Sequence, residues 1–221
     1  MINLEHAEKA HTTRTVKTLA LRDINLHVEA GEFVSIMGPS GSGKTTLLNI
    51  LGMFEVLDSG RLQLAQQEVT QMSYSQKIAL RRQLIGYIFQ SFNLIDFMSV
   101  YENIELPLKY RSVSKNERKT RVTQILEQFG LSSRSAHYPV QLSGGQQQRV
   151  AIARAMISRP KLILADEPTG NLDSKNSNIV LKQLTEINQT GTTVIMVTHS
   201  LEAADYARRH LIMKDGYLSS S

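Results

Sequence analysis

The run Gly38-Pro39-Ser40-Gly41-Ser42-Gly43-Lys44-Thr45 constrains this 221-residue chain more than any other feature. It fits G-x-x-x-x-G-K-[ST] at every fixed position. Before it, Phe33-Val34-Ser35-Ile36-Met37 is an apolar run of strand length, and after it Leu47, Leu48, Ile50 and Leu51 continue as a helix to Gly52. A strand that turns through such a loop into a helix gathers main-chain N–H groups and the positive end of a helix dipole at one point. That arrangement closes around phosphate oxygens. Lys44 would reach the β- and γ-phosphates of a nucleoside triphosphate, and the Thr45 hydroxyl would bind Mg²⁺. Thr46 would donate to a neighbouring phosphate oxygen, which extends the expected cradle from Gly38 to Thr46.

The remaining pattern is α/β. Leu19, Leu21, Ile24, Leu26 and Val28 alternate with polar residues, as antiparallel strands do, and Asp58-Ser59-Gly60 is a turn before a strand over 61–64. A short apolar run over 85–89 leads directly to Gln90. From about 91 to 160 the pattern is mainly helical. Ser114 and Glu117 form an expected capping box, and Val122, Ile125, Leu126 and Phe129 follow at i, i+3, i+4 and i+7 to a stop at Gly130. Another helix is expected to end before Arg159-Pro160. Strands over 162–166, 193–198 and 211–213 then alternate with a helix carrying Ile179, Val180, Leu184 and Ile187. Their continuous apolar runs suit parallel strands buried on both faces. The expected organisation is one domain over 1–221, with a core from 1–90 and 161–221 and an inserted helical lobe over about 91–160. Ser219-Ser220-Ser221 reads as a frayed terminus.

Composition narrows the class. With 41% hydrophobic and 20% charged residues the chain is ordinary globular material. The net charge of +5 comes without a Lys/Arg-rich cluster, so a basic surface is favoured over a nucleic-acid interface. Cysteine is absent, which excludes disulfides and cysteine-ligated metals. Residues 1–17 hold no continuous apolar segment of a signal peptide, and no stretch approaches the roughly 18 apolar residues that span a bilayer. A membrane-spanning part, if needed, belongs to another chain.

Further groups bear chemistry. Leu162-Ile163-Leu164-Ala165 delivers Asp166 and Glu167 to a strand's C-terminal end, where open α/β sheets bind ligands. Asp166 would hold Mg²⁺, mostly through water, and Glu167 would polarise an attacking water. His199 and Gln90 also sit at strand ends and are unremarkable taken alone. Ser143, Gly144 and Gly145 precede a helix, where their hydroxyl and N–H groups would cap an anion; Ser143 is equally suited to a simple N-cap.

The phosphate loop followed far downstream by Leu142-Ser143-Gly144-Gly145-Gln146 resembles the ATP-binding subunits of ABC transporters. The resemblance implies a P-loop NTPase with a RecA-like core, an antiparallel β subdomain and an inserted helical lobe. It implies that Gln90 senses Mg²⁺ and the attacking water, and that His199 contacts the γ-phosphate and orients Glu167. It also implies that Ser143, Gly144, Gly145 and Gln146 meet the γ-phosphate held by a second subunit, so that two ATPs are sandwiched in a head-to-tail homodimer. Asn171-Leu172-Asp173 would cross that interface. One position departs from the pattern. The family usually stacks an aromatic residue, commonly Tyr, on adenine, and the counterpart here is His11, which read alone is equally a surface histidine.

Residues 86–94, Glu102-Asn103-Ile104 and 165–173 further resemble the branch that serves macrolide export, lipoprotein release and cell division. That branch implies an ATPase at the cytoplasmic face of the inner membrane, working with transmembrane permease subunits in export or mechanotransmission. The short segment after residue 213 leaves no room for a C-terminal regulatory domain, which agrees with that expectation. Phe92, Leu94, Phe97, Met98 and Tyr101 are expected either to line a groove for a coupling helix of the permease or to form the lobe's own core. Two other readings remain. One is a regulatory ATPase that signals through a membrane partner without transport. The other is a DNA-maintenance ATPase, against which stands the short, cysteine-free segment between Gln90 and Leu142.

Overall fold

Alternate residues of the buried strands face two different cores, and this organises the molecule. A computed structural model describes residues 1–12 and 17–220. The long strands β1 (Ile2–Thr12) and β2 (Lys17–Val28) pair antiparallel, and β1 pairs on its other side with β4 (Ser59–Leu64), which continues to β5 (Gln67–Glu68). Between them in sequence, β3 (Phe33–Met37) runs through the glycine loop into helix α1 (Lys44–Leu51). β3 belongs to a second sheet with β6 (Ile85–Ile88), β7 (Leu162–Asp166), β8 (Thr193–Thr198), β9 (Arg209–Lys214) and β10 (Tyr217–Ser220), in the order β10-β9-β3-β8-β7-β6. The pairs from β9 to β6 are parallel, and only the β10 edge is antiparallel.

Leu162, Leu164, Ile195 and Val197 join α1 and the antiparallel sheet in one core. Ile163, Ala165, Val194 and Met196 face the other way. They pack with helices α3 (Val100–Lys109), α4 (Lys115–Gln128), α5 (Gly144–Met156) and α6 (Ser174–Gln189). The continuous apolar runs are therefore period-2 strands with both faces covered. Among the described residues no helix is long and apolar enough to cross a membrane.

Local sequence accounts for the element ends, with instructive exceptions. β1 is not evident from its mixed composition; it is a strand because it has a partner on each side. Leu21 and Ile24 are three apart yet both buried, because the ladder shifts register between Ala7↔Ile24 and Lys9↔Leu21, beside Asp23 with its positive φ of 51°. Helix α2 (Tyr74–Leu84) buries only Leu80 and Leu84, so its apolar signal is weak; the reciprocal Ser73–Gln76 cap sets its start. The box expected at Ser114 is half formed. Ser114 accepts from the Glu117 N–H, but the Glu117 carboxylate turns to Arg121 at 2.6 Å, an i,i+4 ion pair. Val122, Ile125, Leu126 and Phe129 are all buried as expected, whereas Ile179 on α6 is exposed. Ser219 and Ser220 are not frayed: they pair with Ile212 and Leu211 in β10, and Ser221 lies outside the described residues.

The Glu102-Asn103 pair has a structural role that its motif conceals. Ser99 and Glu102 cap α3 reciprocally. Asn103, fully buried, accepts from Ile95 N–H at 2.8 Å and donates to the carbonyls of Ile95, Met98 and Ser99 at 3.0–3.1 Å. One amide thus satisfies the backbone of the whole approach to α3. Asn103→Leu keeps the volume but orphans these groups, so we expect a loss of about 2–4 kcal/mol of stability in urea unfolding. A change within experimental error would show that this approach is held by something else.

Candidate active site

Chain geometry gathers most of the residues expected to bind phosphate in one pocket of about 770 Å³ at the C-terminal ends of β3, β6, β7 and β8. Ser40, Gly41, Gly43, Lys44, Thr45 and Thr46 line it from the glycine loop and α1. Gly43 is the N-cap of α1 with φ 107°, and it offers no side-chain acceptor to the first-turn N–H groups. The start of the helix is thus left open to an anion. The Lys44 ammonium, largely buried, folds back to donate to the carbonyls of Gly38 and Pro39 at 2.7 and 2.9 Å. Gly38, Pro39 and Ser42 shape the loop without lining the pocket, and the Ser42 hydroxyl is buried without a hydrogen-bond partner.

Opposite the loop, Asp166 and Glu167 leave β7 in different environments. Asp166 accepts from the Thr45 hydroxyl at 3.3 Å. Burial pushes its carboxyl above the usual range; the Thr45 hydrogen bond opposes this, the Glu167 charge adds to it and Lys44 opposes it. Glu167 has φ 45°, uncommon for a side chain larger than glycine. The turn holds it there: its N–H donates to Val197 O at 3.0 Å, and its carbonyl accepts from Gly170 at 3.0 Å. Its carboxylate lies 2.9 Å from His199 Nδ1 and also accepts, at 3.4 Å, from the His199 main-chain N–H. The two residues, 32 apart in sequence, form one unit because β7 and β8 are adjacent. Gln90 enters the same pocket from the end of β6, and its carbonyl accepts from Asn171 Nδ2 at 3.0 Å.

His11 lines the pocket beside this constellation. Its Nε2 lies 3.2 Å from Thr46 Oγ1 and 3.8 Å from Glu55 Oε2. Thr18, Leu19 and Ala20 line the same wall and were not singled out from sequence. From sequence Leu19 reads only as one of the alternating apolar strand residues; its 42% exposure at the start of β2 is visible only in the fold.

Ser143, Gly144, Gly145 and Gln146 do not reach this pocket. Ser143 caps α5: its hydroxyl accepts from Gln146 N–H at 3.4 Å, and the Gln146 side chain accepts from Ser143 N–H at 2.9 Å. The five residues expected either to line a partner groove or to form the lobe's own core divide between these fates and a third, exposure. Leu94 and Tyr101 pack on the helical core, Phe97 is 80% exposed, and neither Phe92 nor Met98 enters a groove. A groove does exist nearby, lined by Phe89 and Asn93 instead. The apolar residues of 92–101 differ in fate because Asn103 fixes the turns between them.

Residues 21–170 match the ABC transporter family. An uncharacterized ABC transporter ATP-binding protein of Methanocaldococcus jannaschii is 47% identical over 98% of this chain and 96% of its own length. The macrolide export ATP-binding/permease protein MacB of Chlorobaculum tepidum is 45% identical over 98% of this chain, which spans 33% of that longer protein. The dimeric post-hydrolysis state of the ATP-binding cassette MJ0796, bound to ADP and Pi, superposes with a TM-score of 0.92 at 39% identity, covering 100% of this chain and 98% of that one. With its phosphate loop, paired carboxylates and histidine converging on one pocket, and with these likenesses across nearly its full length, the chain belongs to the ABC transporter ATP-binding family.

Proposed function

We propose that the chain is the ATP-hydrolysing subunit of a transporter, and that it drives a separate membrane permease through ATP-dependent pairing of two copies. The observation that carries this is the division of the site. Lys44, Glu167 and His199 share one pocket, while the Ser143–Gln146 edge faces elsewhere within the same chain. A second copy, turned head to tail, supplies that edge. Ser143 and the N–H groups at the start of α5 then meet the terminal phosphate that Lys44 holds.

In this reading 1–221 is a single nucleotide-binding domain with the helical lobe over 91–160 inserted. Lys44 exchanges its two loop carbonyls for phosphate oxygens, and the open turn of α1 binds the others. Glu167 accepts a proton from the attacking water, and His199, bonded to that carboxylate, fixes its orientation. Mg²⁺ neutralises phosphate charge when bound. Thr45, Asp166 and Gln90 provide oxygen ligands suited to such a hard cation. Among the described residues no cluster of three or more His, Cys, Asp or Glu forms a metal cage, so phosphate oxygens and water would complete the shell. The subunit works peripherally, at the cytoplasmic face of the inner membrane, in export or mechanotransmission. No nucleic acid partner is invoked.

The test is Glu167→Gln. The amide keeps the size of the carboxylate but cannot take the proton, so hydrolysis should slow by about 10²–10⁴-fold. ATP then persists, and size-exclusion chromatography in Mg-ATP should show a dimer that adding Ser143→Arg dissolves. A monomer under saturating ATP would overturn the paired site; a dimer that survives Ser143→Arg would overturn only the role of the α5 edge.

His11 supplies the adenine wall in this reading. Imidazole offers less stacking area than phenol, so His11→Tyr should bind ATP at least as tightly as wild type and His11→Ala more weakly, by calorimetry. Equal affinity in all three proteins would remove His11 from the site.

A further inference from the structure

The segment between helix α1 and strand β4 grips the end of β1 at two points. Asp58 accepts from the Ala10 N–H at 2.8 Å and from Lys9 Nζ at 3.1 Å, which anchors the main chain beside His11. Glu55 reaches the imidazole itself, with Oε2 3.8 Å from His11 Nε2 and a side chain only 27% exposed. The same ring nitrogen lies 3.2 Å from Thr46 Oγ1, on the first turn of α1. One nitrogen therefore faces two oxygens, one from the start of α1 and one from the segment just past its end.

Hydrogen bonds fix Glu55 from behind. Its Oε1 accepts from Asn49 Nδ2 at 2.9 Å, and Asn49 Oδ1 accepts from the Tyr87 hydroxyl at 3.2 Å. Burial pushes the Tyr87 phenol up, and the charges of Asp166 and Glu55 add to this, so the hydroxyl stays a donor. A donor at Tyr87 turns the Asn49 oxygen toward it, and the amide hydrogens of Asn49 then face Glu55. The main chain repeats the tie, because the N–H groups of Phe54 and Glu55 donate to Asn49 O at 2.8 and 3.3 Å.

The polarity of this chain decides what His11 does to Thr46. A neutral imidazole carries its proton on either Nδ1 or Nε2. A lone pair on Nε2 would point at a carboxylate, whereas an N–H there faces two acceptors, Glu55 Oε2 and Thr46 Oγ1. With Nε2 protonated, Thr46 accepts in this contact and keeps its own O–H for another partner. With the lone pair on Nε2, Thr46 must donate its proton to the ring. Thr46 lines the pocket beside Lys44 and Thr45, where that proton meets a phosphate oxygen.

We propose, on the reading of this pocket as an ATP site, that Glu55 is a positioning residue for nucleotide binding. It keeps a proton on His11 Nε2, so that the Thr46 hydroxyl donates to phosphate and not to the ring. A phenyl platform has no ring nitrogen and makes no such demand, so the role of Glu55 follows from the histidine at position 11.

The test uses the full chain and Mg-ADP, which binds without turnover. Glu55→Gln keeps the side-chain volume, and its amide oxygen still accepts from Asn49. Its NH₂ group is thereby turned toward His11, where it favours a lone pair on Nε2. By calorimetry Glu55→Gln should bind Mg-ADP about three- to ten-fold more weakly than wild type, as one hydrogen bond to a charged group is partly lost. That loss should vanish in a His11→Phe background, which has no ring nitrogen, and in a Thr46→Val background, which has no hydroxyl. Two-bond proton–nitrogen NMR spectra of the nucleotide-free wild type should show His11 protonated at Nε2. Its signals are identified by their disappearance in His11→Phe, and Glu55→Gln should move the proton to Nδ1. A wild-type ring protonated only at Nδ1, or unchanged affinity in Glu55→Gln, would overturn the proposal. So would an equal loss in the His11→Phe background, which would show Glu55 acting through the fold of α1. The wild-type spectrum decides the matter even if a melting curve shows Glu55→Gln to be unfolded. No binding of Mg-ADP by wild type would overturn the ATP-site reading and this assignment together, whereas binding without these effects overturns the assignment alone.

Discussion

Backbone approaches backbone so closely at the phosphate loop that no side chain fits. A Cβ on Gly38 would lie 2.0 Å from Met213 O, and one on Gly43 would lie 2.3 Å from Ala20 O. Both glycines also have φ values at which larger residues are strained, 158° and 107°. This contact wedges the loop between β2 of one sheet and β9 of the other, and the Gly216 N–H adds a hydrogen bond to Ser42 O at 3.1 Å. The open N-terminus of α1 is consequently held in place by main chain. A rigid loop can leave donors unpaired for a ligand, because the surrounding structure prevents it from collapsing to satisfy them.

Two devices position everything else around that point. The first is the two-sided parallel sheet, whose strand ends deliver Gln90, Asp166, Glu167 and His199 to one rim. Its rigidity comes from period-2 burial against two separate cores. The second is repeated serine capping. Ser73, Ser99, Ser114, Ser143 and Ser200 each accept a main-chain N–H at the start of a helix. At Ser143 the same chemistry has two uses. The hydroxyl that caps α5 in a single chain is placed at a helix end that also favours an anion.

The groove and the nucleotide pocket meet through consecutive residues. Phe89 stacks with Tyr87 in the groove, Gln90 faces the pocket, and Asn171 donates to the Gln90 carbonyl from the loop that follows Glu167.

Much of the site was legible because its signals are local. The glycine loop, the strand ending in Asp166-Glu167, the strand ending at His199 and the helix after Ser143 each depend on a few consecutive residues, and the structure places all of them as read. Tertiary contacts decided the rest. β1 is a strand because β2 and β4 flank it, and α2 is a helix despite burying only two apolar residues. Glu117 chose Arg121 over its own cap, and Asn103 determined which aromatic residues after Gln90 turn inward. Arg81, Arg82, Arg111 and Arg154, which line the groove at the β6 edge, come from three separate stretches of chain, so no sequence window holds that groove. Periodicity and loop chemistry act between neighbours along the chain, whereas burial and charge compensation are set by whatever the fold brings alongside.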